Sequence, residues 1–243
     1  MILPADLQKA ELIFMMRIYT PAREESLIER YEPKIREICG KYGMPPAVLK
    51  AVLYTEMTRI DLMDVAADLV VRFGAFSRKD SSTGYAQIFG YVALNAANFA
   101  IDRGLASYAS LGLGTSSGAQ LHDSADRTKA DQYVSVKRTA EADDSTDTAK
   151  ADLTGSAIQF RRLDPKNPAD VRMVWLKIHK DPAANMEFAA LNLLSCAEEM
   201  TGRIDFGGYT PEELKLVFAR YNANVKRITP YGEEAYGHYL RYF

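Results

Sequence analysis

The sequence predicts a mainly α domain interrupted by a long polar insertion, and two observations carry that reading. Apolar residues recur at three- and four-residue spacing on both sides of the middle of the chain. Residues 104–167 lose the pattern and are rich in Gly, Ser, Thr, Asp and Ala, with few large apolar side chains. Successive helical patterns with short connections imply helices packed around a shared core.

Taken in order, residues 3–19 carry Leu7, Ala10, Leu12, Ile13, Met16 and Ile18, a short amphipathic helix ending before Thr20-Pro21. Residues 22–42 repeat the pattern with Leu27, Tyr31, Ile35, Ile38 and Cys39, one stripe facing inward. Gly43 and Pro45-Pro46 then read as the start of a helix, because a first-turn proline lacks only an N–H that has no intrahelical partner there. A further helix over 61–73 places Leu62, Val65, Ala66, Leu69 and Val70 on one side.

From Gly74 to Thr83 the chain is small and polar, a surface loop that leads into Gly84-Tyr85-Ala86-Gln87-Ile88. Val92, Leu94, Ala96, Ala97, Phe99 and Ala100 then predict a helix running to Arg103. Within the insertion, Tyr133–Val136 and Ile158–Phe160 could pair as a small β-hairpin flap, the stretch between them reading as mobile. An insertion of this length reads as a lid, a binding loop or a linker between two domains.

Helical spacing resumes with Val171, Val174, Trp175 and Ile178 and strengthens from Ala183 to Met200. Thr210-Pro211-Glu212-Glu213 combines a hydroxyl cap, a first-turn proline and acids at the positive end of the helix dipole. That helix reaches Tyr221, and an aromatic-rich segment over 231–243 closes the chain. The organisation that results is 1–40 as N-terminal helices, 41–103 as the first half of the domain, 104–167 as the insertion and 168–243 as the second half.

The totals are those of an ordinary globular protein: 243 residues, 47% apolar and 26% charged. Thirty Lys and Arg against 32 Asp and Glu leave a net charge near −2, with no electrostatic case for nucleic acid or an anionic membrane. His122, His179 and His238 have no metal-ligand spacing, and no metal or cofactor is called for. Cys39 and Cys196 could form one bridge or remain two buried thiols. The longest apolar run near the start, Leu12–Met16, falls far short of the roughly 20 residues of a membrane span. No basic region followed by an apolar one marks a signal peptide there.

One side chain stands out chemically. Val48, Leu49, Val52, Leu53 and Glu56 share a helical face, so the Glu56 carboxylate ends an apolar stripe. Removal from water disfavours the charged form and raises its pKa, the condition a general acid needs near neutral pH. A structural carboxylate that bends out to solvent or pairs with Arg59 is the competing reading.

Several separated segments are together similar to one family. Tyr42-Gly43-Met44-Pro45-Pro46-Ala47-Val48-Leu49, Ala51-Val52 and Thr55-Glu56 resemble the catalytic helix of lysozyme-like lytic transglycosylases and goose-type lysozymes. Ser82-Thr83-Gly84-Tyr85-Ala86-Gln87-Ile88 looks like that family's GLMQ segment, and Asp181-Pro182-Ala183-Ala184-Asn185 with Ala189–Leu194 like its "DP..NI..G..YL" helix. Phe218-Ala219-Arg220-Tyr221-Asn222-Ala223-Asn224 resembles its AAYNAG, and Tyr231-Gly232 its downstream aromatic. The chain departs from the pattern at Met57, where Ser or Thr is usual, in the middle pair of GYAQ, and at Asn224 in place of Gly.

The resemblance implies a lysozyme-like domain that cuts the β-1,4 bond between MurNAc and GlcNAc in peptidoglycan. Glu56 would be acid and base in one, the attacking group being a hydroxyl of the same sugar. Gln87 with Ser81, Ser82 and Thr83 would bind sugar amides and hydroxyls. Tyr221 and Asn222 would lie across from Glu56, the Tyr221 hydroxyl bonding the acid or an N-acetyl group. Tyr85, Tyr91 and Tyr231 would stack on sugars. A hydrolase would need a second carboxylate, for which Asp80 is the candidate. The partner would be peptidoglycan glycan strands met by a monomer in the periplasm or outside the cell. A glycan-binding module without turnover and an unrelated helical interaction protein are the other classes.

Overall fold

The computed structural model describes residues 21–60, 62–73, 80–114 and 161–243. The expected helix over 3–19 and the expected flap hairpin at 133–136 and 158–160 lie outside them. Among the described residues the fold is mainly α, with eight helices and one two-stranded sheet. In chain order these are α1 (Pro21–Tyr42), α2 (Pro46–Met57), α3 (Leu62–Phe73), β1 (Ser82–Thr83), β2 (Ile88–Phe89), α4 (Gly90–Asp102), α5 (Pro168–Lys180), α6 (Pro182–Thr201), α7 (Pro211–Asn222) and α8 (Pro230–Tyr242).

Helix starts follow the residues that dictate them. Proline occupies the first turn of α2, α5, α6, α7 and α8. Asp181 accepts from the Ala183 and Ala184 amides at the start of α6, and Thr210 with Glu213 forms a reciprocal capping box at α7. The junction Asp181-Pro182 breaks one long helical pattern into α5 and α6, since proline cannot continue the helix before it.

α2 is the hub. Its residues from Ala47 to Met57, apart from Lys50, are buried, an apolar surface nearly all round. It packs on α1, α6 and α8, while α7 bridges α6 and α8. α4 lies against α5 and α6, so elements on the two sides of residues 115–160 share one core.

That packed body reaches further than composition suggested. Residues 105–113 and 161–167, read as insertion, contribute Tyr108, Leu111, Leu113 and Leu163 to the core. The Tyr108 hydroxyl donates to Asn98 Oδ1 at 2.6 Å and accepts from the Leu163 amide at 2.9 Å. Asn98 Nδ2 in turn donates to the Leu163 carbonyl at 3.0 Å. This knot ties both ends of the polar segment to α4, with too few apolar residues to leave a periodic signal.

Cys39 and Cys196 are free thiols and both are buried. Burial pushes each up to about 12, well above the ordinary thiol. Neither will react with a disulfide reagent at pH 8 in the native protein, and both will react in denaturant; absorbance titration with and without guanidinium checks this.

Candidate active site

Glu56 is in the last turn of α2 and only 8% exposed. A carboxylate so placed needs a strong hydrogen-bond partner to offset lost hydration. Tyr231 supplies it: its hydroxyl donates to Glu56 Oε1 at 2.6 Å, a short O–H···O hydrogen bond. Thr229 caps α8 by accepting from the Gly232 amide, which sets Tyr231 in the first turn. A Cβ on Gly232 would meet the Lys215 carbonyl at 2.4 Å, so only glycine lets α8 approach α7 this closely.

Burial, then the neighbouring Glu56 charge, holds the Tyr231 phenol well above its ordinary range. Tyr231 therefore remains a donor at any working pH. Arg59 stands 4.8 Å over the Tyr231 ring and pairs with Glu234 of α8. For catalysis by Glu56, Tyr231→Phe is expected to lower turnover by about 10- to 100-fold, since a hydrogen bond to a charged group contributes about 1.5–3 kcal/mol. Steady-state kinetics with a melting curve checks this; a loss of turnover explained by partial unfolding would contradict it.

Beside Glu56 runs a tight hairpin. β1 pairs antiparallel with β2 in the register Ser82↔Phe89 and Thr83↔Ile88, around the turn Gly84–Gln87. Side chains alternate along a strand, so Ser82 faces the cleft while Thr83 is fully buried beneath it.

Under the hairpin sits a buried polar cluster. Asp68 of α3 accepts from Ser81 Oγ at 2.6 Å and Thr83 Oγ1 at 2.7 Å. Thr83 Oγ1 also lies 2.9 Å from His179 Nδ1, and Trp175 donates from Nε1 to the Ser81 carbonyl at 3.0 Å. Asn185 of α6 is fully buried and holds the turn by its backbone, accepting from the Ala86 amide and donating to the Thr83 carbonyl, both at 2.9 Å. Gly84, at φ +71°, leaves room for it, since a Cβ there would come within 2.3 Å of the Asn185 amide nitrogen. Gln87 takes the left-handed region, φ +43°, with its amide donating to the Gly84 carbonyl at 2.7 Å.

A polar cleft of about 600 Å³ opens over Glu56. Of the residues singled out in the sequence, it brings together Glu56, Ser82, Gln87, Tyr91, Tyr221 and Asn222. It does not include the others. Thr83 is committed to Asp68, and Tyr85 is 8% exposed, its ring 5.4 Å from that of Tyr31 in the core. Asp80 accepts from the Gly90 and Tyr91 amides at 2.7 and 2.9 Å, capping α4 outside the cleft lining.

Two tyrosines depart from their expected roles, Tyr221 of bonding Glu56 and Tyr231 of stacking on a sugar. Tyr221 donates to the Ala86 carbonyl at 2.9 Å and so braces the turn, whereas Tyr231 grips Glu56. Burial first, and the Glu56 charge second, raise the Tyr221 phenol well above normal. Sequence reading missed Asn192, Ser195, Cys196 and Glu199, which line the cleft from α6, and Arg220 from α7. Their spacing in α6 is a single helical face, the signal that could have found them.

The chain matches no family model, no curated protein and no solved structure. Among the described residues no group of three or more His, Cys, Asp or Glu is placed to hold a metal ion, and no helix is long and apolar enough to cross a membrane.

Proposed function

We propose that this protein cleaves the β-1,4 glycan backbone of peptidoglycan as a lytic transglycosylase, with Glu56 as its single acid and base. The observation that carries the reading is the buried Glu56 carboxyl, bonded by the Tyr231 hydroxyl and opening onto a cleft shared with Gln87, Tyr221 and Asn222. The similarity of those segments to the lysozyme-like lytic transglycosylases supports it. So does the use of Asp80, the candidate second carboxylate, as a helix cap off the cleft, while the other acid lining the cleft, Glu199, is held by Arg220.

In the proposed reaction the protonated Glu56 gives its proton to the bridging oxygen as the C1–O bond breaks, leaving an oxocarbenium-like centre at C1. The resulting carboxylate then takes the proton of a hydroxyl on the same sugar as that oxygen bonds C1, which restores the acid. Tyr231 steadies the carboxylate between the two transfers. Gln87 and Ser82 present amide and hydroxyl groups to the strand. Such chemistry belongs in the periplasm or outside the cell, where the substrate is.

Incubating the purified protein with purified sacculi and following soluble sugar release tests the reading. Release that needs Glu56 supports it. Binding to sacculi without release would instead leave a glycan-binding module.

A further inference from the structure

Arg59 is a half-exposed cation close to the buried acid, and its place follows from how α2 ends. The Arg59 amide donates to the Glu56 carbonyl at 3.0 Å, and the Thr58 hydroxyl donates to the Thr55 carbonyl at 2.8 Å. These bonds take up carbonyls of the last turn that lack an intrahelical partner. Ile60 is fully buried and pins the chain just beyond, so Arg59 stays at the end of α2. Glu234 of α8 fixes the other end of the side chain, Arg59 Nη2 reaching its Oε2 at 2.5 Å. The guanidinium is thereby held 4.8 Å over the Tyr231 ring, where it lines the cleft.

The contacts run without a break from Glu234 to Arg59, from Arg59 to the Tyr231 ring, and from the Tyr231 hydroxyl to Glu56. A cation over a phenol ring draws electron density from the hydroxyl and makes it a stronger donor. A stronger donor favours the ionised carboxylate over the protonated acid. Burial first, then the Glu56 charge, raise the Tyr231 phenol, and Arg59 pulls it the other way. The other titratable neighbours are Tyr221 of α7 and, on α8, His238, whose Nε2 is 3.9 Å from Glu234 Oε1. Burial holds His238 below the ordinary histidine range, so near neutral pH the charged partner of Glu234 is Arg59. Elsewhere in the cleft lining, Glu199 and Arg220 pair with each other.

We propose that Arg59 is a positioning residue that acts through Tyr231: by fixing and polarising the hydroxyl, it sets the pH at which Glu56 exchanges its proton. This rests on Glu56 as acid and base in the reading above. A group in both roles must hold a proton before the bond breaks and release it as the leaving oxygen departs. A cation one ring away favours the released state, and so opposes what burial does to Glu56.

NMR titration of the Glu56 carboxyl carbon, its signal assigned by its loss in Glu56→Gln, tests this on the protein without substrate. Arg59→Gln should raise the titration midpoint by about half a pH unit, the weight of an exposed cation–π contact. The sign follows from the charge. Losing a cation favours the protonated acid, so the alkaline limb of sugar release from sacculi should move up with the midpoint. Arg59→Lys keeps the charge and should return most of the shift. In a Tyr231→Phe background, Arg59→Gln should lose most of its effect, since the hydroxyl that carries it is gone. An unchanged midpoint in Arg59→Gln, or the full shift persisting in Tyr231→Phe, would overturn the proposal. A midpoint that moves as expected, while the native protein releases nothing from sacculi, would remove the glycan reading and leave Arg59 governing the Glu56 proton.

Discussion

Glu56→Gln removes nearly all cleavage and leaves the fold intact. General acid–base catalysis contributes about 10²–10⁴-fold, and here one group serves both steps, so a loss of about 10³-fold or more is expected. The amide cannot deliver a proton, yet its oxygen still accepts from the Tyr231 hydroxyl. Glutamine has the size of glutamate and keeps that accepting oxygen, so the melting temperature should hold. Kinetics and calorimetry on the same preparation check both halves. A variant with native turnover would remove Glu56 from the chemistry, and one that melted far lower would show a structural carboxylate.

Asn185→Leu is expected to have the largest effect on stability. The side chain is fully buried and makes two hydrogen bonds to backbone that has no water to turn to. Leucine matches its shape but leaves the Ala86 amide and the Thr83 carbonyl unpaired, at about 1–3 kcal/mol each, so a loss of about 4 kcal/mol is expected. For a domain of this size that lowers the melting temperature by about 10 °C. Because the same two bonds shape the turn that carries Gln87, turnover should fall beyond what unfolding explains. Asn185→Asp keeps the acceptor for Ala86 and should fall between. A Leu variant within about 1 kcal/mol of native stability would mean the hairpin is held by the Asp68 cluster alone.

Much of the helical frame was legible because helices are local. Proline starts, the Thr210 cap and the apolar spacing marked α2 and α4 to α8. Glu56 was legible for the same reason, since its place on the stripe follows from a fixed period. The hairpin was not legible. Its strands are two residues each, too short for alternation to show, so nothing separated Ser82, which reaches the cleft, from Thr83, which is buried against Asp68. Tyr85 read as a sugar platform, and only the packing of α1 against it reveals a core ring.

The choice between Tyr221 and Tyr231 depends on which of two helices reaches Glu56, a tertiary fact that neither sequence segment contains. The buried cluster of Asp68, Ser81, Thr83 and His179 joins α3, β1 and α5 across about a hundred positions and has no local pattern at all. Glu199 and Arg220 differ: with Asn192 and Ser195 they sit on helical faces whose polarity could be read, once the cleft told which face to look at.

Mass spectrometry of the soluble fragments that the native protein releases from purified peptidoglycan tests the central claim most directly. A single acid and base acting through Glu56 predicts fragments whose MurNAc ends are closed as anhydro sugars, each lighter by one water than a hydrolytic end. Fragments with open reducing ends would contradict it, because water would then be the attacking group and a second carboxylate would have to activate it.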